Sequence, residues 1–305
     1  MKHERIIAMA LVTLTLANLR LETVYGAPMN KPDIPRNLGS PKETHTDTSA
    51  VLIWDKPHVY NGIASYNVYR NGEMIANTKK TCYKAEGLVP SAEHVFFVKA
   101  IDIHGSESES GNEVKAITAS PGEIIDVTKA PYGAVGDGVT VCTKMIQQAI
   151  DECPKGGIVH VPQGIFVTSG LFLKSDMTLK LDGTLLGSLN VDDYPHVICR
   201  FGPFSQFHAS MINVGGVADP IVRNVKILGS GTINGNGEAL RPKFESHAPH
   251  ASYCERNSNF TSVNCEGLYV DGITIRNSAC WSVHPIWTDH ITFYGIYLNN
   301  GVPYQ

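Results

Sequence analysis

The chain has 305 residues, a formal net charge of −4 and 43% hydrophobic residues, so it holds enough apolar material for more than one packed core. Neither the charge nor its distribution fits a nucleic-acid-binding surface. Seven cysteines, with no C-x-x-C or close His spacing, argue against a zinc site and leave at least one thiol unpaired within the chain.

The first element is a targeting segment. Met1 to Arg5 is mostly basic, and Ile6 to Ala17 is an apolar run too short to span a bilayer but long enough for a signal-peptide core. Cleavage after Gly26, with Val24 and Gly26 at the small-residue positions, makes residues 1–26 a signal peptide. That predicts a periplasmic or secreted protein with no membrane anchor after cleavage. Residues 1–26 carry a net +1, so the remainder sits near −5.

Residues 32–118 read as short strands separated by turn signals: Ser49 to Trp54, Ser65 to Arg70, the Arg70-Asn-Gly-Glu73 turn, and His94 to Ile101. About seven such strands in this length indicate a β-sandwich. Trp54 stands where a fibronectin type III module carries its core tryptophan, and the stretch resembles that module. The resemblance places a corner tyrosine at the position held by His94, a substitution expected to weaken that corner. Such a module is a spacer, a docking surface or a carbohydrate contact.

Ala119-Ser-Pro-Gly122 marks the join to residues 123–305. Thr140 to Cys153 predicts a short helix with Met145, Ile146, Ala149 and Ile150 on one face. Cys142 and Cys153 flank it, about 16 Å apart along an intact helix and too far for a bridge. Beyond it the apolar pattern repeats. Val222, Val225 and Ile227 are matched 48 residues later by Val270, Ile273 and Ile275, and a further 23 residues on by Phe293, Ile296 and Leu298; Leu179 and Leu181 lie 46 residues before Val225 and Ile227. Multiples of about 23, with alternation inside each unit and Gly or Asn at the corners, predict a right-handed parallel β-helix. An antiparallel sandwich is the alternative. The predicted fold is thus all-β, a fibronectin type III-like sandwich followed by the N-terminal part of a β-helix.

Tyr132-Gly-Ala-Val-Gly-Asp-Gly-Val139, Gly156 to Gly164, Leu179-Lys-Leu-Asp-Gly183, Ile227 to Gly237 and Arg276 to Pro285 follow one another in an order that resembles the family 28 glycoside hydrolases, the pectin-degrading β-helix enzymes. The resemblance covers Val127 to Gln305 and implies that the short helix caps the first coil of the β-helix. With the sandwich in front, the architecture is similar to that of bacterial exo-acting polygalacturonases. It implies inverting hydrolysis of α-1,4-linked galacturonan, with pectate or oligogalacturonides as partners and no cofactor or metal. Inversion needs an acid and a base carboxyl roughly 6.5–9.5 Å apart. In that family these are carried by Asn-Thr-Asp and Asp-Asp segments, beside Gly-His-Gly and Arg-Ile-Lys; of these only an Asp-Asp pair occurs here.

That pair, Asp192-Asp193, precedes the central coils and is expected to be a solvated loop. Thr288-Asp289 is expected to close a turn. The resemblance therefore puts no catalytic residue in this chain: the first catalytic aspartate is expected beyond Gln305, the β-helix to be incomplete at its C-terminus, and the chain as written to lack activity. Trp281 and His284, one coil earlier, are candidate substrate-binding residues, as are Arg241, Lys243 and Arg256 in the polar stretch Leu240 to Arg256, expected to be a loop-like insertion. Two other readings stay open. A pectate lyase needs calcium ligands from clustered carboxylates, which the sequence lacks; a non-catalytic pectin-binding or surface protein suits the absent aspartates.

Overall fold

The computed structural model describes residues 31–59, 62–198, 206–247 and 256–301. The predicted signal peptide and Cys199 and Cys254 lie outside the described residues.

Seven antiparallel strands form the sandwich. Arg36–Gly39, Ala50–Asp55 and Cys82–Ala85 make one sheet; Glu73–Thr78, Ile63–Arg70, Glu93–Asp102 and Val114–Ile117 make the other. Alternate residues point inward, as a strand's two-residue period demands, so Leu52, Trp54, Val68, Phe96 and Val98 fill one core. Trp54 meets Tyr66 edge to face at 5.6 Å. The Asn71-Gly72 turn is left-handed at both residues (φ 50° and 89°), the geometry that matches strand twist in a two-residue hairpin. His94 is buried at the corner, where its Nε2–H donates to the Val89 carbonyl at 3.2 Å while its Nδ1 is buried without a hydrogen-bond partner among the described residues.

From Ile124 onward the strands are parallel and wind over three faces. The first face holds Leu171–Leu173, Ile212–Val214 and the opening residues of the long strands Phe260–Asp271 and Val283–Tyr294. The second stacks Ile124–Asp126, Ile158–Val161, Met177–Leu181, Val222–Leu228 and the remainder of both long strands. The third stacks Asp137–Val141, Ile165–Thr168, Thr184–Gly187, Thr232–Asn234, Thr274–Arg276 and Tyr297–Asn299. A parallel β-helix is therefore the architecture. The helix α1 (Thr143–Glu152) closes the first coil with Ile146, Ala149 and Ile150 buried, and the thiols of Cys142 and Cys153 at its two ends are free.

The inferred register needs correction. Ile227 pairs with Val270, Val225 with Leu268 and Leu179 with Ile227; the 23-residue step holds for Val270 over Phe293 and Ile275 over Leu298. Two insertions lengthen the other coils: a hairpin of His196–Ile198 and Gln206–His208, and the helix α2 (Gly237–His247). An alternating apolar pattern matches itself at every even shift, so spacing alone could not choose the partner. Of the apolar triplet assigned to the interior, Phe293 and Ile296 pack on the core, whereas Leu298 is 51% exposed.

The α2 helix also corrects the loop reading of Leu240 to Arg256 for its first half. Leu240 and Phe244, one helical turn apart, are both buried, and Phe244 packs edge-on to Tyr194 at 5.8 Å. That anchorage outweighs Pro242, which denies the helix a backbone donor.

Sandwich and coil pack directly. The 3₁₀ turn Lys42–Thr44 sits against the second face, where the Thr292 hydroxyl donates to Glu43 Oε1 at 2.8 Å. Lys84 Nζ lies 2.6 Å from Asp271 Oδ2, and the Tyr269 hydroxyl donates to the same oxygen at 3.0 Å.

Candidate functional site

A cleft of about 240 Å³ opens on the outer side of the first face. Its floor follows from register: Phe172, Asn213, Thr261 and His284 are stacked partners on adjacent strands, and all four line the cleft. Their sequence neighbours Leu171, Ile212 and Phe260 point the other way into the core. One wall is the inserted hairpin with Phe207 and His208; the opposite rim is the turn carrying Asp219. Tyr194 and α2 hold the hairpin wall. The Tyr194 hydroxyl donates to the Ser188 carbonyl at 3.0 Å, burial pushes its pKa well up, and His208 Nδ1–H donates to the Tyr194 carbonyl at 2.9 Å.

Trp281, His284 and Arg256, which the sequence singled out separately, come together here. The Trp281 and His284 rings lie 4.2 Å apart at 46°. Trp281 is held through its backbone, its carbonyl accepting from the Ser278 hydroxyl at 2.7 Å and from the Asn259 amide at 3.1 Å. The Arg256 side chain is only 10% exposed, with Nη1 3.6 Å from Glu245 Oε1 on α2; Arg241 Nε donates to the same oxygen at 3.2 Å. Arg241 faces an adjoining pocket of about 190 Å³, which shares Arg256 and Trp281 as its wall with the main cleft. Lys243 lines neither.

An indole, two imidazoles and a guanidinium around an open groove can take a sugar ring on an aromatic face and hold a carboxylate bidentately. Among the described residues Asp219 is the only carboxylate lining the cleft, and no cluster of three His, Cys, Asp or Glu could hold a metal. Asp193 accepts from the Ser188 hydroxyl and from Asn190 Nδ2, which gives it a local structural task within the 3₁₀ turn Val191–Asp193. Thr288 and Asp289 do not close a turn: they pair with Cys265 and Glu266 inside the strand Val283–Tyr294, where Trp287 and His290 (φ 45° and 53°) bend it from the first face to the second. Sequence reasoning missed Asn213, Thr261, His208 and Asp219. The first two alternate with core residues, a signal that acquires meaning only once the register is known.

Residues 124–303 match the family described as rhamnogalacturonase A/epimerase, pectate lyase-like. The chain belongs to this family. It is 34% identical over 238 residues to an exo-poly-alpha-D-galacturonosidase of Dickeya chrysanthemi, covering 67% of this chain and 39% of that protein. A probable polygalacturonase of Vitis vinifera is 29% identical over 178 residues, covering 54% of this chain and 35% of the relative. The family 28 exopolygalacturonase of Yersinia enterocolitica superposes with a TM-score of 0.81 at 27% identity, covering 88% of this chain and 60% of that structure. The chain thus spans about two fifths of the length of the Dickeya relative. Homology to the family 28 exo-polygalacturonases, expected from the motifs, is established by these matches.

Proposed function

We propose that this chain carries the substrate groove of a polygalacturonase-type glycoside hydrolase acting from chain ends on α-1,4-linked galacturonan with inversion. The convergence of Trp281, His284 and Arg256 on the outer side of the first face is the observation that carries this reading. Trp281 stacks on a galacturonosyl ring, Arg256 takes a uronate carboxylate, and His284 reaches a hydroxyl or carboxylate beside it; Arg241 contacts the neighbouring sugar in the adjoining pocket. The names of the Dickeya and Yersinia relatives support galacturonan as the substrate.

Inverting hydrolysis calls for two carboxyl groups roughly 6.5–9.5 Å apart across the scissile bond. Asp219 is the carboxylate on the described cleft wall, and in this reading the chain binds oligogalacturonides without releasing sugar. Two domains, residues 32–118 and 123–305, and export through a signal peptide at residues 1–26 complete the proposal. Among the described residues no helix is long and apolar enough to cross a membrane.

Trigalacturonate titrated against the chain should quench tryptophan fluorescence, and Trp281→Ala should remove the response. Arg256→Ala should weaken binding roughly tenfold or more, as expected for losing a charge-assisted pair. Unchanged affinity in both variants would overturn the site; reducing sugar released from polygalacturonate would overturn the binding-only reading.

A further inference from the structure

The sandwich meets the outer side of the second face through Glu43 on Thr292 and Lys84 on Asp271. A cleft of about 210 Å³ remains between them, walled by His45 and Asp47 from the sandwich, Ser120 from the join, and Thr178 and Lys226 from adjacent coils. Register brings the last two together, Thr178 pairing directly with Lys226. The polar groups here divide into those already engaged and those still available. Asp176 is engaged at both oxygens, by Asn224 Nδ2 at 2.8 Å and by Lys155 Nζ at 3.4 Å. His45 is engaged at both ring nitrogens, against the Ser40 hydroxyl at 2.9 Å and the Ile117 carbonyl at 3.2 Å.

Among the described residues the Lys226 ammonium has no hydrogen bond or ion pair, and neither the Ser120 nor the Thr178 side chain has a hydrogen bond. The walls also include Ile158 and Leu228, an apolar strip beside those donors. One cation, two hydroxyls, the Asp47 carboxylate and an apolar strip form the complement of an acidic pyranose, which presents a carboxylate, several hydroxyls and a C–H face.

We propose that this junction cleft binds a single uronate sugar, with its carboxylate on Lys226, its hydroxyls on Ser120, Thr178 and Asp47, and its C–H face on Ile158 and Leu228. The identity of the sugar as galacturonate rests on the galacturonan reading above; the site itself is separate from the first-face cleft and shares no lining residue with it. Burial lowers the Lys226 pKa, and the charges of Glu43 and Asp176 offset this in part. An incoming carboxylate relieves that penalty by supplying a partner at hydrogen-bond distance. Because the cleft is built from both bodies, an occupied site ties the sandwich to the coil, and the ligand stabilises the whole unit by mass action.

Calorimetric titration of the full chain tests this with three probes: D-galacturonate, D-galactose and inorganic phosphate. Arg256→Ala, which removes the uronate partner of the first-face cleft, should lose that site and still bind galacturonate at the junction cleft. Lys226→Met should weaken that binding roughly tenfold or more, and galactose should bind the wild type weaker by a similar factor. Thr178→Val, a milder change, should weaken galacturonate severalfold and guards against a misfolded lysine variant. Equal affinity of galacturonate for Lys226→Met and the wild type would overturn the assignment. So would binding lost in Arg256→Ala yet kept in Lys226→Met, which would place the sugar in the other cleft. Phosphate binding as tightly as galacturonate would reduce the site to a general anion trap and overturn its sugar specificity. Should the galacturonan reading itself fail, trigalacturonate binding would be indifferent to Trp281→Ala while the Lys226 results stand.

Discussion

Replacing Lys84 by methionine tests how firmly the sandwich is joined to the coil. Lys84 Nζ sits 2.6 Å from Asp271 Oδ2, and the two side chains are 24% and 9% exposed. Methionine keeps most of the aliphatic stem and deletes the charge, leaving Asp271 with the Tyr269 hydroxyl at 3.0 Å as its remaining side-chain partner. Removing one member of a fully buried pair costs about 3–5 kcal/mol; Lys84 keeps a quarter of its surface in water, so we expect a loss of about 2–3 kcal/mol. Urea unfolding followed by circular dichroism measures it, and a cycle with Asp271→Asn should return a coupling energy of about 1–2 kcal/mol. A loss below about 0.5 kcal/mol, the scatter of an ordinary surface substitution, would show that the pair is solvated and refute the reasoning.

The pH dependence has a defined sign. Burial pulls the Lys84 pKa down, but hydrogen bonds and charge from Asp271 and Glu86 outweigh it, and the net shift is upward. A group whose folded pKa is raised stabilises fully below its unfolded value, about 10.4 for lysine, and loses that contribution as pH climbs through the folded value. The stability difference between wild type and Lys84→Met should therefore be constant at neutral pH and shrink in the alkaline range.

Three further outcomes are expected. His45 has a pKa lowered chiefly by burial, so the unfolded chain takes up its proton first; the urea midpoint should fall as pH drops below about 6.5, and His45→Gln should flatten that fall. His94→Ala removes the corner hydrogen bond to Val89 and should destabilise the chain in the same urea assay by about 1–2 kcal/mol, with His94→Tyr recovering much of it. Burial raises the thiol pKa of Cys142, Cys153 and Cys265, the last to about 11; mass spectrometry after iodoacetamide treatment at pH 8 should find these three protected and the half-buried Cys82 labelled ahead of them.

How much of this was legible in the residues differs from feature to feature. Alternating apolar residues and Asn or Gly corners announced parallel coils, and Met145, Ile146, Ala149 and Ile150 announced α1, because both signals are local. Register was not local: the insertions carrying the hairpin and α2 changed the coil lengths, so Val270 was matched to Val222 when it stacks on Ile227. Leu240 and Phe244 held the signal for α2, masked by Pro242 and a run of charged and polar residues. Trp281, His284 and Arg256 were identifiable from residue type, yet their neighbours Thr261 and Asn213 needed strand pairing to be seen. The sandwich contact was invisible for a different reason. Lys226, Asp271 and Thr292 occupy outward positions on the second face, where polar residues ordinarily meet water, and nothing in their spacing distinguishes a covered outward position from a bare one.

The strands Phe260–Asp271 and Val283–Tyr294 each run unbroken around a corner, so one strand carries His284 over the cleft at its start and Thr292 beneath the sandwich near its end. Grafting a foreign module in place of residues 32–118 would thus act at a distance, because the docking surface and the groove floor are two ends of the same backbone. A functional chimera would have to transplant the latch of Glu43 and Lys84 along with the module, or accept a groove whose His284 rung is free to shift.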